Sequence, residues 1–194
     1  HGNTRAVALY NPSDAPQRVE VSAETLEMSG EMSVRDLNEH RNLGKMTKID
    51  ITLPAHTAKI LRVKGTRIEP VIYEGEWAFC PDFSDIRPSG VKYVAAEGAS
   101  GGVVAEKIGG SATNYLRWND VYSKNGGNYR ITFKFMPSAH DFTAEASVNG
   151  TIFAVSRSAT SIEVTLRKGD NEVRIGNAEA IIPAIDYIEV EKLR

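Results

Sequence analysis

Short runs in which apolar and polar residues alternate, separated by turn residues, constrain this chain more than any other feature. Residues 5–10, 17–21 and 58–63 alternate with the period of two that places every second side chain on one face of a β-strand. Glycine and proline clusters separate such runs along the whole chain. No stretch has the 3.6-residue period of a long amphipathic helix. The pattern therefore predicts an all-β fold of antiparallel sheets.

The chain is predicted to contain two domains. Its 194 residues fit one large domain or two small ones. A polar stretch with Gly65 and Pro70 follows the strand at 58–63, and the strand pattern then restarts with a different character. We therefore expect an antiparallel β-sandwich domain at residues 1–66 and a second β-sandwich at 67–194. Residues 49–53 and 58–63 are predicted to form a hairpin with His56 in its turn.

Charge and cysteine content exclude several classes of partner. Lys and Arg number 23 against 25 Asp and Glu, and a net charge of −2 disfavours nucleic acid. No run approaches the roughly 18 apolar residues that span a bilayer, so no membrane span is expected. Cys80 is alone, which excludes an intrachain disulfide, and it is interpreted as a small buried residue.

The first residues carry no signal-peptide pattern. The basic segment and apolar run of a leader are missing after His1, as they would be in a mature or truncated secreted protein. We therefore expect the chain to be a piece of a longer protein.

Catalytic signatures are weak, and no catalytic residue is assigned. Asp36 with Glu39, or Asp82 with Asp85, would offer a glycosidase its two carboxylates, but such residues are more typical of solvated loops. The histidines lie far apart without metal-ligand spacing, at His1, His40, His56 and His140. A self-contained hydrolase is the least favoured interpretation.

Three acidic residues are candidates for a metal site. Glu74 and Glu76 are two apart on a predicted strand and so share a face. If the last strand pairs beside this one, Asp186 joins them, and carbonyls of residues 98–102 would complete the oxygen ligands that calcium prefers. The alternative is an ordinary solvent-facing edge with free carboxylates, which spacing alone favours.

The second block, roughly residues 70 to 194, resembles carbohydrate-binding modules of families 6 and 35. The segments that carry the resemblance are Tyr73-Glu74-Gly75-Glu76, where the family has Glu-Ala-Glu, and residues 126–131, 148–150, 168–175 and 183–190. The resemblance implies a β-jelly-roll sandwich of the galactose-binding-like kind. It also implies a structural calcium ion held by Glu74, Glu76 and Asp186.

The same resemblance suggests where a sugar would bind. Family members grip a sugar ring between aromatic side chains in the loops at one end of the sandwich, with an asparagine near the last strand. Asn177 matches that asparagine loosely, and Tyr115 and Tyr122 are candidate rim residues. The usual platform positions, near residues 107–108 and 151–160, offer only Phe153 as an aromatic. Trp118 alternates in step with Leu116 and is predicted to lie in the core.

The first block, residues 1 to about 65, resembles the C-terminal β-domain of glycoside hydrolase family 27, the α-galactosidase type. The segments that carry this resemblance are residues 5–11, 34–40, 43–44 and 53–63, with Asn38 where the family usually has tryptophan. The family's catalytic aspartates lie on an upstream barrel. The resemblance thus implies a non-catalytic C-terminal portion of a secreted, extracellular or periplasmic, hydrolase whose partners are that barrel and carbohydrate, including galactose-containing glycans. The alternative is a pair of structural spacer domains that bind no sugar.

Overall fold

The computed structural model describes residues 2–84 and 89–194, and it confirms the all-β prediction. The chain divides into two compact units, His1–Glu69 (unit 1) and Pro70–Arg194 (unit 2), each with its own hydrophobic core. The helices of the described residues are three-residue 3₁₀ turns, and none is long or apolar enough to cross a membrane.

Residues 2–69 of unit 1 form six strands in two antiparallel sheets. They are β1 (Thr4–Tyr10), β2 (Gln17–Ser22), β3 (Met28–Asp36), β4 (Arg41–Met46), β5 (Lys48–Leu53) and β6 (Ala58–Arg67). One sheet has the order β1-β6-β3-β4 and the other is the pair β2-β5. Alternate residues such as Val34 on β3, Ile49 on β5 and Leu61 on β6 are buried in a common core. The alternation seen in the sequence therefore marks the inner faces of both sheets.

The predicted hairpin of residues 49–53 and 58–63 is wrong. Strand β5 pairs with β2, whereas β6 pairs with β1 and β3. Each strand buries its apolar face from a different sheet, so the intervening turn carries the chain from one sheet to the other. The buried Asn11 fastens this crossover, because its Nδ2 donates to the carbonyls of Leu53 and Pro54 at 3.1 and 3.0 Å.

Strand β6 also extends to Arg67, four residues past the predicted end. Its polar last residues are still paired with neighbouring strands, since Lys64 lies opposite Thr4 on β1 and Arg67 lies opposite Met28 on β3. Lys64 and Thr66 are exposed, whereas Arg67 is buried and pairs with Glu27 at 3.8 Å, so these polar residues belong to the strand and not to a linker.

The described residues of unit 2 form twelve strands around a larger core. They are β7 (Ile72–Glu74), β8 (Lys92–Ala95), β9 (Val103–Glu106), β10 (Ile108–Gly109), β11 (Tyr115–Ser123), β12 (Gly127–Phe135), β13 (Thr143–Val148), β14 (Thr151–Ser156), β15 (Ser161–Leu166), β16 (Gly169–Gly176), β17 (Ile181–Ile182) and β18 (Ile185–Lys192). One sheet has the order β11-β16-β13-β14, the second has the order β15-β12-β18-β9-β8 with β7 also on β18, and β10 pairs with β17. The core of unit 2 draws side chains from both larger sheets.

Two residues interpreted as packing are buried in unit 2. Trp118 on β11 is 3% exposed and contributes to the core as predicted. Cys80 is also buried, and burial raises the pKa of its thiol. A raised pKa keeps the sulfur protonated at neutral pH, which suits packing rather than reactivity.

Candidate functional site

The pairing of the first and last strands of unit 2 brings the predicted acidic residues together. Strand β7 lies antiparallel to β18, with Glu74 opposite Tyr187, which confirms the predicted pairing. Glu76, however, is not on the strand, because residues Gly75–Trp77 form a 3₁₀ turn. The backbone of β18 approaches so closely that a Cβ on Gly75 would lie 2.7 Å from the Ile185 carbonyl oxygen. The absence of a side chain at Gly75 therefore lets the chain turn against β18 here.

The loop of residues 98–102 closes over these carboxylates. Both carboxylate oxygens of Asp186 accept hydrogen bonds from the Ser100 backbone N–H, at 3.0 and 3.1 Å. The Ser100 hydroxyl donates to Glu74 Oε1 at 2.9 Å. The hydrogen bonds from this loop to the carboxylates are thus donated by the N–H and hydroxyl of Ser100, whereas the sequence suggested contacts through backbone carbonyls. The loop fits the Gly-x-Ser-x-Gly pattern of serine hydrolases, but this hydroxyl donates to a carboxylate and not to a histidine.

Negative charge at this site is only partly compensated. Glu74 Oε2 and Glu76 Oε2 are buried and have no hydrogen-bond partner within the described part of the chain. Burial raises the pKa of Glu76, and the charges of Glu74 and Asp186 raise it further. The ion pairs recorded for unit 2 lie on other acids, namely Glu172, Glu163, Glu189 and Asp141. Buried carboxylate oxygens without a partner are costly, so a bound cation would relieve this site.

The three carboxylates are of the donor type that a hard cation prefers, but their side chains do not form a coordination shell in this structure. Within residues 2–84 and 89–194, no three His, Cys, Asp or Glu side chains have an arrangement that would hold a metal ion as they stand. Three carboxylates with two unsatisfied oxygens are nevertheless the ligand type that calcium selects. We refer to Glu74, Glu76 and Asp186 as the carboxylate cluster.

Trp118 and Ser100 support the cluster; the sequence predicted a role for the loop of Ser100 but none for Trp118. The buried Trp118 donates its indole N–H to the Glu74 carbonyl oxygen at 2.9 Å, which fixes the backbone of one cluster residue. Ser100, described above, bonds to two of the three carboxylates. Tryptophan in an alternating strand signals burial, and nothing in its spacing shows which carbonyl its N–H will meet.

Asn177 and Tyr115, two of the predicted sugar-binding residues, line one groove of about 430 Å³. They meet because Tyr115 on β11 lies opposite Gly176, the neighbour of Asn177. The Arg174 guanidinium stacks on the Tyr115 ring at 3.8 Å from its centroid. We call this the loop-end groove. Its aromatic, amide and charged side chains are suited to a hydroxyl-rich ligand.

Much of the hydrogen-bonding capacity of Asn177 serves its own loop. Its Nδ2 donates to the Thr143 carbonyl at 2.9 Å, and its Oδ1 accepts from the N–H groups of Glu179 and Ala180 at 2.8 and 3.1 Å. Both lone pairs of Oδ1 are thus used within the loop, and one Nδ2 hydrogen is left for a ligand. Asn177 therefore shapes the groove as well as lining it.

Tyr122 does not join the other two candidates. It lies seven residues after Tyr115 on the same strand, on the order of 20 Å away at the usual rise per residue. Its backbone N–H donates to the Tyr73 hydroxyl at 2.8 Å, and the register of β11 shifts between Trp118 and Val121. Tyr122 thus lies outside the loop-end groove.

The usual platform positions carry other roles here. Ile108 is fully buried and Lys107 is exposed with a positive φ of 59°. Phe153 packs against the core of unit 2. Gly109 is required for close approach of β10 to β17, because a Cβ there would lie 2.3 Å from the Ala180 carbonyl oxygen. Tyr115 is therefore the aromatic residue that lines the groove among the described residues.

The residues considered for catalysis have structural roles. Asp36 and Glu39 both bind the Lys59 ammonium, at 2.5 and 3.2 Å, so this pair does not flank an open cleft. Asp82 accepts a hydrogen bond from the Thr113 hydroxyl, whereas Asp85 and His1 lie outside the described residues. His56 lies in the crossover turn and contacts Asp14 at 2.8 Å.

Comparison with known proteins extends these observations. Residues 1–63 match the family model of the α-galactosidase C-terminal β-sandwich domain, which confirms the resemblance predicted for the first block. A family 35 carbohydrate-binding module from Clostridium thermocellum is 27% identical, with a TM-score of 0.52, over 62% of this chain and 97% of that one. A comparison with curated proteins finds no match.

Two longer enzymes share the fold. An isomalto-dextranase from Arthrobacter globiformis T6 is 21% identical, with a TM-score of 0.59, over 97% of this chain and 35% of that one. A GH26-CBM35 β-(1,4)-mannanase from Podospora anserina is 22% identical, with a TM-score of 0.52, over 66% of this chain and 28% of that one. The chain therefore spans about a third of the length of these enzymes.

Proposed function

We propose that this chain is the non-catalytic portion of a secreted, extracellular or periplasmic, glycoside hydrolase of the α-galactosidase type. In this proposal unit 2 is a calcium-stabilised module that binds carbohydrate, and its natural partner is a catalytic barrel in the same parent protein. The family match of residues 1–63 supports the assignment of unit 1. The family 35 module supports that of unit 2, since it covers a share of the chain close to that of unit 2.

One observation carries the calcium assignment. The carboxylate cluster holds two buried oxygens without partners in the described residues, at Glu74 and Glu76, and no described ion pair neutralises it. When bound, calcium would supply the missing countercharge and link β7, the following 3₁₀ turn and β18 through Glu74, Glu76 and Asp186. The ion would therefore stabilise the fold and take no part in bond cleavage.

Carbohydrate binding is assigned to the loop-end groove. Tyr115 offers an aromatic ring, and Asn177 retains one N–H donor. Arg174, Glu145 and Glu179 add charged groups that bind hydroxyls. Tethering such a module to a catalytic domain would raise the local concentration of substrate without adding chemistry.

Calorimetric titration tests this function directly. The intact chain, with calcium present, would be titrated with galactose-containing oligosaccharides and with uronic acids. Saturable heat with the parent chain would support the assignment if the affinity falls about tenfold in Tyr115→Ala and in Asn177→Ala but stays unchanged in Tyr122→Ala. Equal loss in all three variants would contradict it. Hydrolysis of galactosides by the isolated chain would overturn the non-catalytic role.

A structural spacer is the second candidate, and the internal bonds of Asn177 are the observation that favours it. An asparagine that mainly holds its own loop is expected in a module that has lost its ligand. Absence of heat with every oligosaccharide, together with calcium-dependent stability, would establish the spacer over the binding module.

A further inference from the structure

Unit 1 carries a basic groove that the proposed function does not use. The outward face of the sheet β1-β6-β3-β4 holds a depression of about 560 Å³. Four cationic residues line it, namely Arg35, Lys45, Arg62 and Lys64. The polar side chains of Ser33 and Asn42 also line it. Their neighbours Val34, Leu61 and Val63 point into the core, so Arg35, Arg62 and Lys64 point away from it.

The strand register places these cations against one another. Arg62 on β6 lies directly opposite Arg35 on β3, and Ser33 lies between Lys64 on β6 and Lys45 on β4. Like charges on opposed positions of neighbouring strands are unfavourable. The Asn42 amide oxygen accepts a hydrogen bond from Arg35 at 3.0 Å and holds that guanidinium in place. Packing gives no reason for this arrangement.

The ion pairs described for unit 1 lie outside the basic groove. Other cations of the unit pair with acids: Arg5 with Glu27, Arg18 with Asp50, Lys48 with Glu20, Arg41 with Glu39 and Lys59 with Asp36. Among the ion pairs of the described residues, none involves a cation of the basic groove. Four cations are thus left to share one groove without a countercharge.

We propose that the basic groove binds an acidic glycan, whose carboxylate or sulfate groups pair with Arg35, Arg62, Lys45 and Lys64. Cations on adjacent strands are about 5 Å apart and those two residues apart on one strand are about 7 Å apart, so successive anionic sugars would each reach a cation. Ser33 and Asn42 offer polar atoms to sugar hydroxyls.

The lining of the groove favours a glycan over nucleic acid. No aromatic side chain lines it in the described part of unit 1, and base stacking is the main sequence-tolerant contact to single strands. The site lies on unit 1, so it is independent of the carboxylate cluster and of the loop-end groove.

Titration of the intact 194-residue chain in chelator tests the proposal. The probes would be an oligogalacturonate for carboxylates, a heparin-derived oligosaccharide for sulfates, a neutral galactose-containing oligosaccharide and a single-stranded DNA oligonucleotide. We expect at least one acidic oligosaccharide to bind, more weakly at higher salt, and the neutral one not to bind at this groove. The acidic probe that binds identifies the anion.

Two variants with equal loss of charge separate the groove from general electrostatics. The double variant Arg35→Gln/Arg62→Gln should weaken binding about tenfold or more, whereas Arg18→Gln/Lys48→Gln, on the other sheet, should change it less than about twofold. The groove variant should melt no lower than the parent chain, since it removes opposed like charges, and this shows that it folds.

Four results would overturn the proposal: no acidic probe binds at low salt, both double variants weaken binding equally, DNA binds more tightly than both acidic oligosaccharides, or Asn177→Ala removes the binding that Arg35→Gln/Arg62→Gln leaves intact. The last result would assign the acidic probe to the loop-end groove, and so would support the proposed function while ending this proposal.

Discussion

The two units of this protein treat their buried carboxylates in opposite ways. In unit 1, Asp36 is fully buried and accepts hydrogen bonds from the Lys59 ammonium at 2.5 Å and from two backbone N–H groups at 2.9 Å. These bonds lower the pKa of Asp36, and the bond from Lys59 has the largest effect. In unit 2, burial and like charges raise the pKa of Glu76. The buried carboxylate of unit 1 therefore has an internal countercharge, whereas Glu74 Oε2 and Glu76 Oε2 in unit 2 have no hydrogen-bond partner among the described residues.

Breaking the internal pair of unit 1 should have the largest effect. Asp36→Asn would leave the Lys59 ammonium without its buried partner, and we expect the melting transition of unit 1 to fall by about 10 °C while that of unit 2 stays unchanged. Calorimetry, with hydrogen exchange to assign each transition, measures this. Asp50→Asn is the control, because Asp50 is an exposed partner of Arg18 and should shift the transition by less than about 2 °C. Equal shifts would contradict the comparison.

Calcium should stabilise unit 2 and leave unit 1 unchanged. At calcium concentrations well above the dissociation constant, we expect the transition of unit 2 to rise by about 5 to 10 °C over its value in chelator. Glu76→Gln should abolish this rise. In chelator the same variant should melt slightly above the parent chain, because it removes one of three mutually repelling charges. An unchanged calcium response in Glu76→Gln would exclude the carboxylate cluster as the site.

Acid should act on the two units with opposite signs, measured in chelator. Glu76 has a folded pKa above its ordinary value of 4.5, so its contribution to the stability of unit 2 grows as pH falls from 7 through the folded pKa. Asp36 has a folded pKa below its ordinary value of 3.8, so its contribution to unit 1 persists above that value and is lost as pH falls through the folded pKa. Calorimetry of Glu76→Gln and Asp36→Asn beside the parent chain isolates the two terms. The same sign for both would refute this contrast.

The smallest effect is expected at the support of the carboxylate cluster. Trp118→Phe keeps the ring in the core but removes the hydrogen bond to the Glu74 carbonyl, a loss of about 1 kcal/mol from unit 2. Denaturant unfolding followed by circular dichroism measures it. We also expect a weaker calcium response, since Glu74 would be less well positioned. A full calcium response in Trp118→Phe would show that the indole packs without positioning Glu74.

The sequence predicted the parts of the site that depend on strand alternation and pairing. Glu74 and Asp186 lie on neighbouring strands as expected, and Trp118 is buried because it alternates in step with Leu116. The position of Glu76 could not be predicted in this way, because the strand ends at Glu74 and a 3₁₀ turn begins at Gly75, where the missing side chain permits close approach to the backbone of Ile185. Periodicity describes a strand but not where it ends.

Long-range arrangement was beyond the reach of local pattern. Tyr122 was a reasonable rim candidate, yet it occupies the far end of the strand that begins at Tyr115. The predicted hairpin failed because Leu53 and Leu61 face one core from two different sheets. A near-zero net charge likewise hides the segregation of Arg35 opposite Arg62, since counting charges does not locate them.

The placement of Trp118 gives unit 2 an optical signature. The protein has two tryptophans, and both belong to unit 2: Trp118, whose indole bonds to Glu74, and Trp77, which is 76% exposed and adjoins Glu76. Tryptophan emission therefore reports on unit 2 alone, because unit 1 contains no tryptophan. The buried ring will emit at shorter wavelength than the exposed one. Ion binding at the neighbouring carboxylates would thus be measurable as a shift in the wavelength or intensity of tryptophan emission, without any added label.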